Sequence, residues 1–448
     1  KIESAKCYKS FVKVTETKLL KNPKQFWQFV AQKRTDNDLP SSMYYHETHA
    51  TNGHDIANLF AKHFSSVYSD ASCINHPLNY DYNIDLNDCQ ISLAEVYQSL
   101  NNLSNKKSTG PDGIPEILQK ECKCSLSNPI CMLYNLSLST GTFADSWKIS
   151  FIQPIFKPGN KSNIRNYRPI SVISSIPKIF ESIITKKITP IFKNVLIEEQ
   201  HGFRSAKSTT TNLLSFMNTI LKALEDNTQV DVLYTDFSKA FDKVNHRILM
   251  AKLYAIGIRD PLLSFFHSYL SNRKQRVKIN NFESFNIDVT SGVPQGAHLA
   301  PINCMELNVD KCKILSFYRT KKPIQFDYKL NNVCLSTVTS IKDLGVTLDC
   351  KLSFRDHINN IVNKSLKLLG FIHRIASDFK HINTLKTLYC SLVRPHLEYA
   401  SSSFCTDNSW WNSIVLEFEI KTLLYFLPLI YISPGPVSSY YGHFQTGS

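Results

Sequence analysis

The chain has 448 residues, of which 43% are hydrophobic, and this is enough for a sizeable core and two or three domains. Lys and Arg outnumber Asp and Glu by 51 to 37, which leaves a formal net charge of +14. Such a surplus suits a polyanionic partner, either nucleic acid or an anionic membrane, although charge alone also fits an ordinary basic surface. The hydrophobic content of the chain argues against wholesale disorder.

The ends of the chain and its cysteines bear on location. The sequence begins at Lys1 without Met or a signal segment, so we expect a fragment of a longer intracellular protein, with nucleus and cytoplasm both open. The closest cysteine pair, Cys122 and Cys124, lacks the CxxC spacing of zinc sites, and we expect reduced thiols. The apolar run Thr422–Ser433 is shorter than the roughly 20 residues of a membrane helix and contains Pro428, so we expect no spanning segment.

Residues 1–90 are predicted to form a helical N-terminal region that ends in a linker. Asn22-Pro23 has the cap and first-turn chemistry of a helix start, and Asp55 precedes a second stretch of apolar residues at helical spacing. His63 lies on the apolar face of that second helix, and we expect it to be a core histidine. The polar stretch 69–88 indicates a linker.

The remaining chain divides into three predicted regions. Residues 91–320 mix strand and helix patterns and open on a capping box formed by Ser92 and Glu95. Residues 321–405 become helical, with an apolar face on one side and cations on the other; these cations are Lys364, Lys367 and Arg374. Residues 406–448 form a diverged tail without Lys or Arg after Lys421, which suggests a different reading frame.

One carboxylate follows a strand in the mixed region. Val230 to Asp236 has the pattern of a buried strand that ends in Asp236, and a helix is predicted to begin near Ser238. A carboxylate in this position either binds metal or simply caps the next helix. Phosphoryl transfer to a growing nucleic acid commonly uses two divalent ions, roughly 3.5–4 Å apart, held by carboxylates from neighbouring strands. Asp236 is therefore a candidate metal ligand.

Three further segments supply groups that such a site would use. Phe241 lies about one helical turn beyond Asp236, where its ring either walls off a sugar 2′-hydroxyl or belongs to the core. The loop Ser291–Gly296 has two glycines that permit close backbone approach, and its Gln295 offers both a donor and an acceptor. The cations suited to a triphosphate are Lys157, Arg165 and Arg168.

Five ordered motifs resemble one known family. They are Lys107–Gly113, Asn166–Ser171, Gln200–Arg204, Asp236–Asp242 and Ser291–Gly296. In this order they are similar to motifs of the reverse transcriptases of non-LTR retrotransposons, in particular the Jockey-like elements. The resemblance extends from about Phe26 to Tyr399 and implies an RNA-directed DNA polymerase, which binds an RNA template and a DNA primer and uses Mg²⁺.

The resemblance also implies a fold and a set of site residues. The fold is α+β, a right-hand polymerase with fingers, palm and helical thumb. Asp236 resembles the first metal-binding aspartate, and Phe241 resembles the gate that discriminates riboses. Gln295 and Gly296 resemble the loop under the incoming nucleotide, and Arg168 resembles a fingers-side triphosphate contact, with Lys157 upstream of it.

Two further segments match the family. Leu307–Lys311 resembles the next palm motif, in which Lys311 would serve as general acid to the leaving pyrophosphate. Leu344–Val346 resembles the primer grip, and the helices that follow it resemble the thumb.

The chain departs from the family between these motifs. The family carries an aromatic-Ala-Asp-Asp turn on a β-hairpin between the Gln-Gly loop and the Leu-Asn motif, and no such turn occurs here. The interval 297–306 contains no Asp, and its one carboxylate, Glu306, is not expected to bind metal. A helix of about ten residues followed by a hairpin of about twelve would not fit into the interval 297–306. We therefore predict an incomplete palm, an exposed apolar edge on the strand before Asp236, and at least a thousandfold loss of activity.

Three functional hypotheses remain open from the sequence. The first is an RNA-directed DNA polymerase by descent that is inactive in this copy. The second is a non-catalytic basic remnant that still binds nucleic acid, because phosphate contacts by Lys and Arg need no metal site. The third is a decayed gene product without a selected role. A skipped exon or a gap in the gene between Pro301 and Glu306 would account for the missing segment, and the oligomeric state stays undetermined.

Overall fold

The computed structural model describes residues 2–33, 39–68, 90–192, 197–202, 204–235, 242–294, 312–321, 323–330 and 333–401. Helices and strands are interspersed along these ranges, so the predicted α+β class is confirmed. None of the helices in these ranges combines the length and the apolar character that a membrane crossing requires.

The helices are α1 (Ile2–Lys21), α2 (Gln25–Lys33), α3 (Gly53–Ser65), α4 (Leu93–Asn101), α5 (Glu116–Glu121), α6 (Lys123–Ser139), α7 (Ser175–Phe192), α8 (Thr209–Glu225), α9 (His246–Ala255), α10 (Leu262–Leu270), α11 (Arg355–Ile375), α12 (Ile382–Leu388) and α13 (Arg394–Glu398). The strands are β1 (Met43–Tyr45), β2 (Thr48–Ala50), β3 (Ile149–Phe156), β4 (Tyr167–Val172), β5 (Val230–Tyr234), β6 (Arg273–Ile279), β7 (Phe282–Glu283), β8 (Ile287–Val289), β9 (Lys313–Phe317), β10 (Lys329–Leu330), β11 (Val333–Cys334), β12 (Ser336–Thr337), β13 (Ser340–Asp343) and β14 (Val346–Asp349).

The N-terminal helices differ in part from the prediction. The side chain of Asn22 accepts from the backbone of Lys24 just before α2, as its predicted role at a helix start requires. Helix α3 is capped by Asn52 rather than by Asp55, whose backbone N–H donates to the Asn52 side chain. His63 is half-buried, with its ring 5.0 Å from that of Tyr45. Helix α1 was not predicted, because its inward face carries few apolar residues.

A five-stranded sheet forms one layer of the molecule. Its strands lie in the order β4-β3-β6-β7, and β8 also pairs with β6. β3 pairs antiparallel with β4 and parallel with β6. Helix α3 covers one face, where Phe60 packs edge-on against Tyr167 of β4 at 5.1 Å between ring centroids. The core of this layer also contains Ile152 and Val277.

A helical core lies beside this sheet and is built from α4, α6, α7 and α10. Its centre is aromatic: the rings of Tyr134 and Phe180 stack at 4.2 Å between their centroids, and Phe265 packs edge-on against Phe180. The capping box of Ser92 and Glu95 at the start of α4 is present as predicted. Local hydrogen bonding explains this success, since both partners belong to one helical turn.

A second sheet has a separate core. Its strands lie in the order β12-β9-β5, with β5 and β9 antiparallel, and the hairpin β13–β14 lies nearby in the same core. Buried apolar residues of α1, α2, α8, α11 and α12 complete this core. The predicted helix after Leu344–Val346 is confirmed as α11, and Lys364, Lys367 and Arg374 are exposed on it as expected. Helices α1 and α2 therefore pack in one core with α11 and α12.

Candidate nucleotide and nucleic-acid site

The hairpin of β3 and β4 presents two of the predicted nucleotide contacts. Arg168 is exposed on β4 directly opposite Ile155 of β3. Lys157 follows β3, and its backbone N–H donates to the carbonyl of Asn166 at 2.6 Å, which closes the hairpin. The two cations therefore lie at the same end of one rigid hairpin, where a polyphosphate could contact both.

The third predicted cation, Arg165, has a different neighbour. Its Nη2 lies 2.9 Å from Nε2 of His46, and its guanidinium lies 5.9 Å from the centre of the Tyr45 ring. The backbone N–H of Tyr44 also donates to the carbonyl of Ser162 in the same turn. The β1–β2 hairpin thus packs against the turn that carries Lys157, and Arg165 connects the turn to the hairpin. Sequence spacing carried no signal for this contact, because the partners are 119 positions apart.

The start of the predicted Gln-Gly loop is held by three hydrogen bonds. Ser291 Oγ donates to the carbonyl of Asp242 at 2.8 Å, and the backbone N–H of Gly292 donates to the carbonyl of Val244 at 2.8 Å. The carbonyl of Gly292 accepts from Nε2 of His246, which lies 2.7 Å away. Gly292 has a φ of +85°, a conformation that favours glycine. His246 therefore positions this loop, a role that no sequence pattern indicated.

His246 is held in its neutral form. Burial lowers the pKa of its imidazole, and the positive charges of Arg273 and His267 lower it further, whereas the hydrogen bond to the Gly292 carbonyl raises it. The net direction is downward. A carbonyl can only accept, so Nε2 carries the proton at neutral pH.

Strand β5 leads toward the candidate metal ligand. It ends at Tyr234, and its last residue pairs with Lys313 of β9. The ammonium group of Lys313 donates to the hydroxyl of Ser336 at 2.8 Å. At the other end of β5, the carboxylate of Asp231 accepts from the hydroxyl of Tyr328 at 2.9 Å. The side chain beside the end of β5 that leads to Asp236 is therefore a cation.

Several predicted site residues lie outside the described ranges. They are Asp236, Phe241, Gln295, Gly296 and Lys311. Their roles remain predictions, as do those of Glu306 and of the helix near Ser238, which also lie outside those ranges.

The turn Leu344-Gly345, which resembles a primer grip, is firmly anchored. Both residues have positive φ, +43° and +93°, as the tight turn of a two-residue hairpin requires. The hydroxyl of Tyr399 donates to the carbonyl of Leu344 at 2.7 Å and lies 3.0 Å from Oγ1 of Thr209. A Cβ atom at Gly345 would lie 3.0 Å from the Tyr399 ring, so this position favours glycine for space as well as for conformation.

Comparison with known proteins supports the family assignment. Residues 155–308 match the family model described as reverse transcriptase (RNA-dependent DNA polymerase). The chain is 30% identical over 215 residues to the probable RNA-directed DNA polymerase from transposon BS of Drosophila melanogaster, a match covering 47% of this chain and 24% of that protein. It is 30% identical over 228 residues to the corresponding protein of the X-element of the same organism, covering 50% and 25%.

A longer match is found in a third relative. The RNA-directed DNA polymerase from the mobile element jockey of Drosophila funebris is 24% identical over 381 residues, covering 69% of this chain and 41% of that protein. The chain thus spans about a quarter to two fifths of the length of these curated relatives. Together, the matched model and these relatives show that the chain contains a reverse-transcriptase domain of the kind found in non-LTR retrotransposons.

Proposed function

We propose that this domain descends from an RNA-directed DNA polymerase, still binds nucleic acid, and no longer extends a primer. The relatives are named as RNA-directed DNA polymerases, which supports the descent. In this proposal the five-stranded sheet belongs to the fingers, the sheet of β5, β9 and β12 to the palm, and α11 to α13 to the thumb.

The pairing of β5 carries the proposal of inactivity. Among the described strands β5 pairs with β9, and none of them occupies its other edge. Leu233 on this strand is 45% exposed. The missing Asp-Asp hairpin would supply such a strand, and the interval 297–306 has no Asp. A strand with one described partner is compatible with a palm that lacks one hairpin.

The donor set does not fit a pair of Mg²⁺ ions. A two-ion site needs carboxylates from neighbouring strands, and the neighbour beside the end of β5 contributes Lys313. Asp236 would remain as a single acidic ligand, which is too few for the two-ion arrangement.

The nucleotide-binding residues are proposed to retain their positions. Lys157 and Arg168 would contact the triphosphate from the β3–β4 hairpin, and their common location on it supports this assignment. Phe241, Gln295 and Gly296 would contact the sugar and the base, and Lys311 would face the pyrophosphate, all by resemblance to the family.

The nucleic-acid binding in this proposal does not depend on catalysis. The exposed face of α11 carries Lys364, Lys367 and Arg374, and the chain has a net charge of +14. Contacts between these cations and phosphates would need neither the metal nor the missing hairpin. An inactive polymerase can therefore retain its template contacts.

A primer-extension assay separates active from inactive chains. We expect the purified chain to show no extension on an RNA template with a DNA primer, with Mg²⁺ or with Mn²⁺. Extension that is abolished by Asp236→Ala would contradict the proposal, since a second carboxylate would then have been recruited. Extension that survives this substitution would come from a contaminating polymerase, and the assay would be repeated on chain purified further until Asp236→Ala shows no extension.

A further inference from the structure

The indole ring of Trp27 on α2 is exposed, although two neighbouring rings hold it in place. It lies nearly parallel to the ring of Phe371 on α11, with 6.1 Å between the centroids and 19° between the planes. Phe26, which is fully buried, meets both rings in T-shaped contacts at 5.6 and 6.3 Å. Trp27 nevertheless keeps 46% of its surface exposed, whereas Trp is largely buried on average. A large aromatic surface in a fixed position is therefore available to a ligand.

The partner ring, Phe371, belongs to the cationic face of α11. Lys364, Lys367, Phe371 and Arg374 are three or four positions apart, which places them on one side of the helix. All three cations are exposed, and they extend over about 15 Å of the helix axis at 1.5 Å per residue. The stacked pair of Trp27 and Phe371 therefore adjoins a row of cations.

The chain segments that form this pair contain no acidic residue. No Asp or Glu occurs in residues 17–35, which include α2, or in residues 357–377, which include most of α11. The next acid after α11, Asp378, accepts from the hydroxyl of Tyr8 at 2.6 Å and lies 3.5 Å from the ammonium group of Lys33. Cations therefore dominate the charge around Trp27, and they attract a polyanion.

The combination of ring and cations favours nucleic acid over an apolar protein segment. An apolar segment would cover the ring of Trp27 but would offer no counter-charge to the cations of α11. A strand of nucleic acid supplies both a planar base for the ring and phosphates for the cations. Proteins that bind single strands combine cations along the backbone with aromatic side chains on which the bases stack.

We propose that Trp27 stacks on a base of single-stranded nucleic acid whose phosphates contact the cations of α11. This inference rests on the nucleic-acid binding proposed above and names the form of nucleic acid that this face takes. In a duplex each base already stacks on its neighbours, and taking one out of the stack is unfavourable. The ring of Trp27 therefore favours single strands over duplexes. Stacking involves the base and not the sugar, so strands of RNA and DNA are equivalent for this contact.

Salt distinguishes this stacking contact from the phosphate contacts. Loss of a phosphate contact flattens the log–log dependence of affinity on salt, because fewer counterions are released. Loss of a stacked base removes no phosphate contact, so the affinity should fall at every salt concentration while the slope stays the same. Trp27 and the lysines of α11 therefore have different signatures in one salt titration.

Fluorescence anisotropy of the full chain with labelled strands of about 12 nucleotides tests the proposal. Trp27→Leu should weaken the binding of oligo(A) and oligo(dA) about fivefold or more, as the loss of one stacked base predicts. Trp27→Phe should retain most of the affinity, since Phe also stacks on bases. The control Phe285→Leu removes an aromatic ring of similar exposure, 51%, that lies between Glu283 and Asp288 in the sequence, and it should leave the affinity unchanged.

Two further probes separate stacking from a change of fold. A strand of abasic nucleotides has the same phosphates without bases, and a B-form duplex keeps its bases stacked inside. Trp27→Leu should bind both probes as the unaltered chain does. A measurement on the unaltered chain needs no destabilising substitution: oligo(dA) should quench its indole fluorescence, the abasic strand should not, and Trp27→Phe should remove the quenched component.

The outcomes distinguish this inference from the proposed function. Binding of oligo(dA) that is unaffected by Trp27→Leu would overturn the stacking role and would leave the proposed nucleic-acid binding intact. An equal loss of affinity for the abasic strand would also overturn it, because the ring would then act through the fold alone. A chain that binds none of these probes would overturn both this inference and the proposed binding.

Discussion

Glu16 Oε1 lies 2.8 Å from the backbone nitrogen of Lys380, although the two residues are 364 positions apart in the chain. The same oxygen accepts from the backbone nitrogen of His381 at 2.8 Å. Glu16 is 8% exposed on α1, and its two donors precede α12. A carboxylate from the N-terminal helix therefore satisfies backbone groups that the start of α12 leaves without helical partners.

We predict that Glu16→Ala lowers the free energy of unfolding by about 1–3 kcal/mol, because two backbone donors lose a charged acceptor. Thermal or urea unfolding measures the change. Glu16→Gln should recover part of the loss, since an amide oxygen still accepts from both donors. Glu3→Ala, an exposed position on the same helix, should have little effect. An equal loss from both alanine variants would show that the hydrogen bonds do not matter.

We predict a contribution of His246 to the pH dependence of stability. Because its folded pKa is lowered, its contribution is fully present above its unfolded pKa and is lost as the pH falls below that value, near 6.5. The unfolded chain then takes up a proton that the folded chain does not. Urea unfolding between pH 5 and 7.5 should show a shallower pH dependence for His246→Gln than for the unaltered chain. His54→Gln, at an exposed position, should keep the original slope.

We predict that nucleic-acid binding depends on the exposed face of α11. About six phosphate contacts would give a log–log salt slope near −4 for single strands and near −5 for B-form DNA. Replacing Lys364 and Lys367 by Gln should flatten the slope by about 0.7 per lost contact on single strands. The matched control replaces Lys9 and Lys13, exposed on α1, by Gln, with the same change in net charge. Equal flattening by both pairs would mean that binding follows net charge alone.

We predict that inserting the family's missing hairpin between Pro301 and Glu306 restores both stability and primer extension. One hairpin would pair with the edge of β5 opposite β9 and would bring the carboxylates that share metal with Asp236. Thermal unfolding and primer extension measure the two effects on the same preparation. A repaired chain that is more stable yet inactive would reveal further lesions. Activity without a gain in stability would contradict the exposed β5 edge while preserving the role of Asp236.

The sequence alone determined the features that depend on neighbouring residues. The capping box of Ser92 and Glu95 lies within one turn, and α11 repeats its apolar residues along a single helix, so both were predicted correctly. The five motifs that resemble reverse transcriptases were also visible from their order, and the matched family model, over residues 155–308, covers four of them. The boundaries of the predicted domains remain predictions.

Only the tertiary structure decided which distant residues meet. Helix α1 has few apolar residues on its inward face, so its pattern was weak, and its place in the core depends on Glu16 and on α12. Arg165 lies against His46, and Lys313 reaches the end of β5 through strand register. Each of these contacts joins residues separated by many positions, and local propensity contains no information about such pairs. They form because packing the whole chain buries apolar area and satisfies the polar groups that burial would otherwise leave without partners.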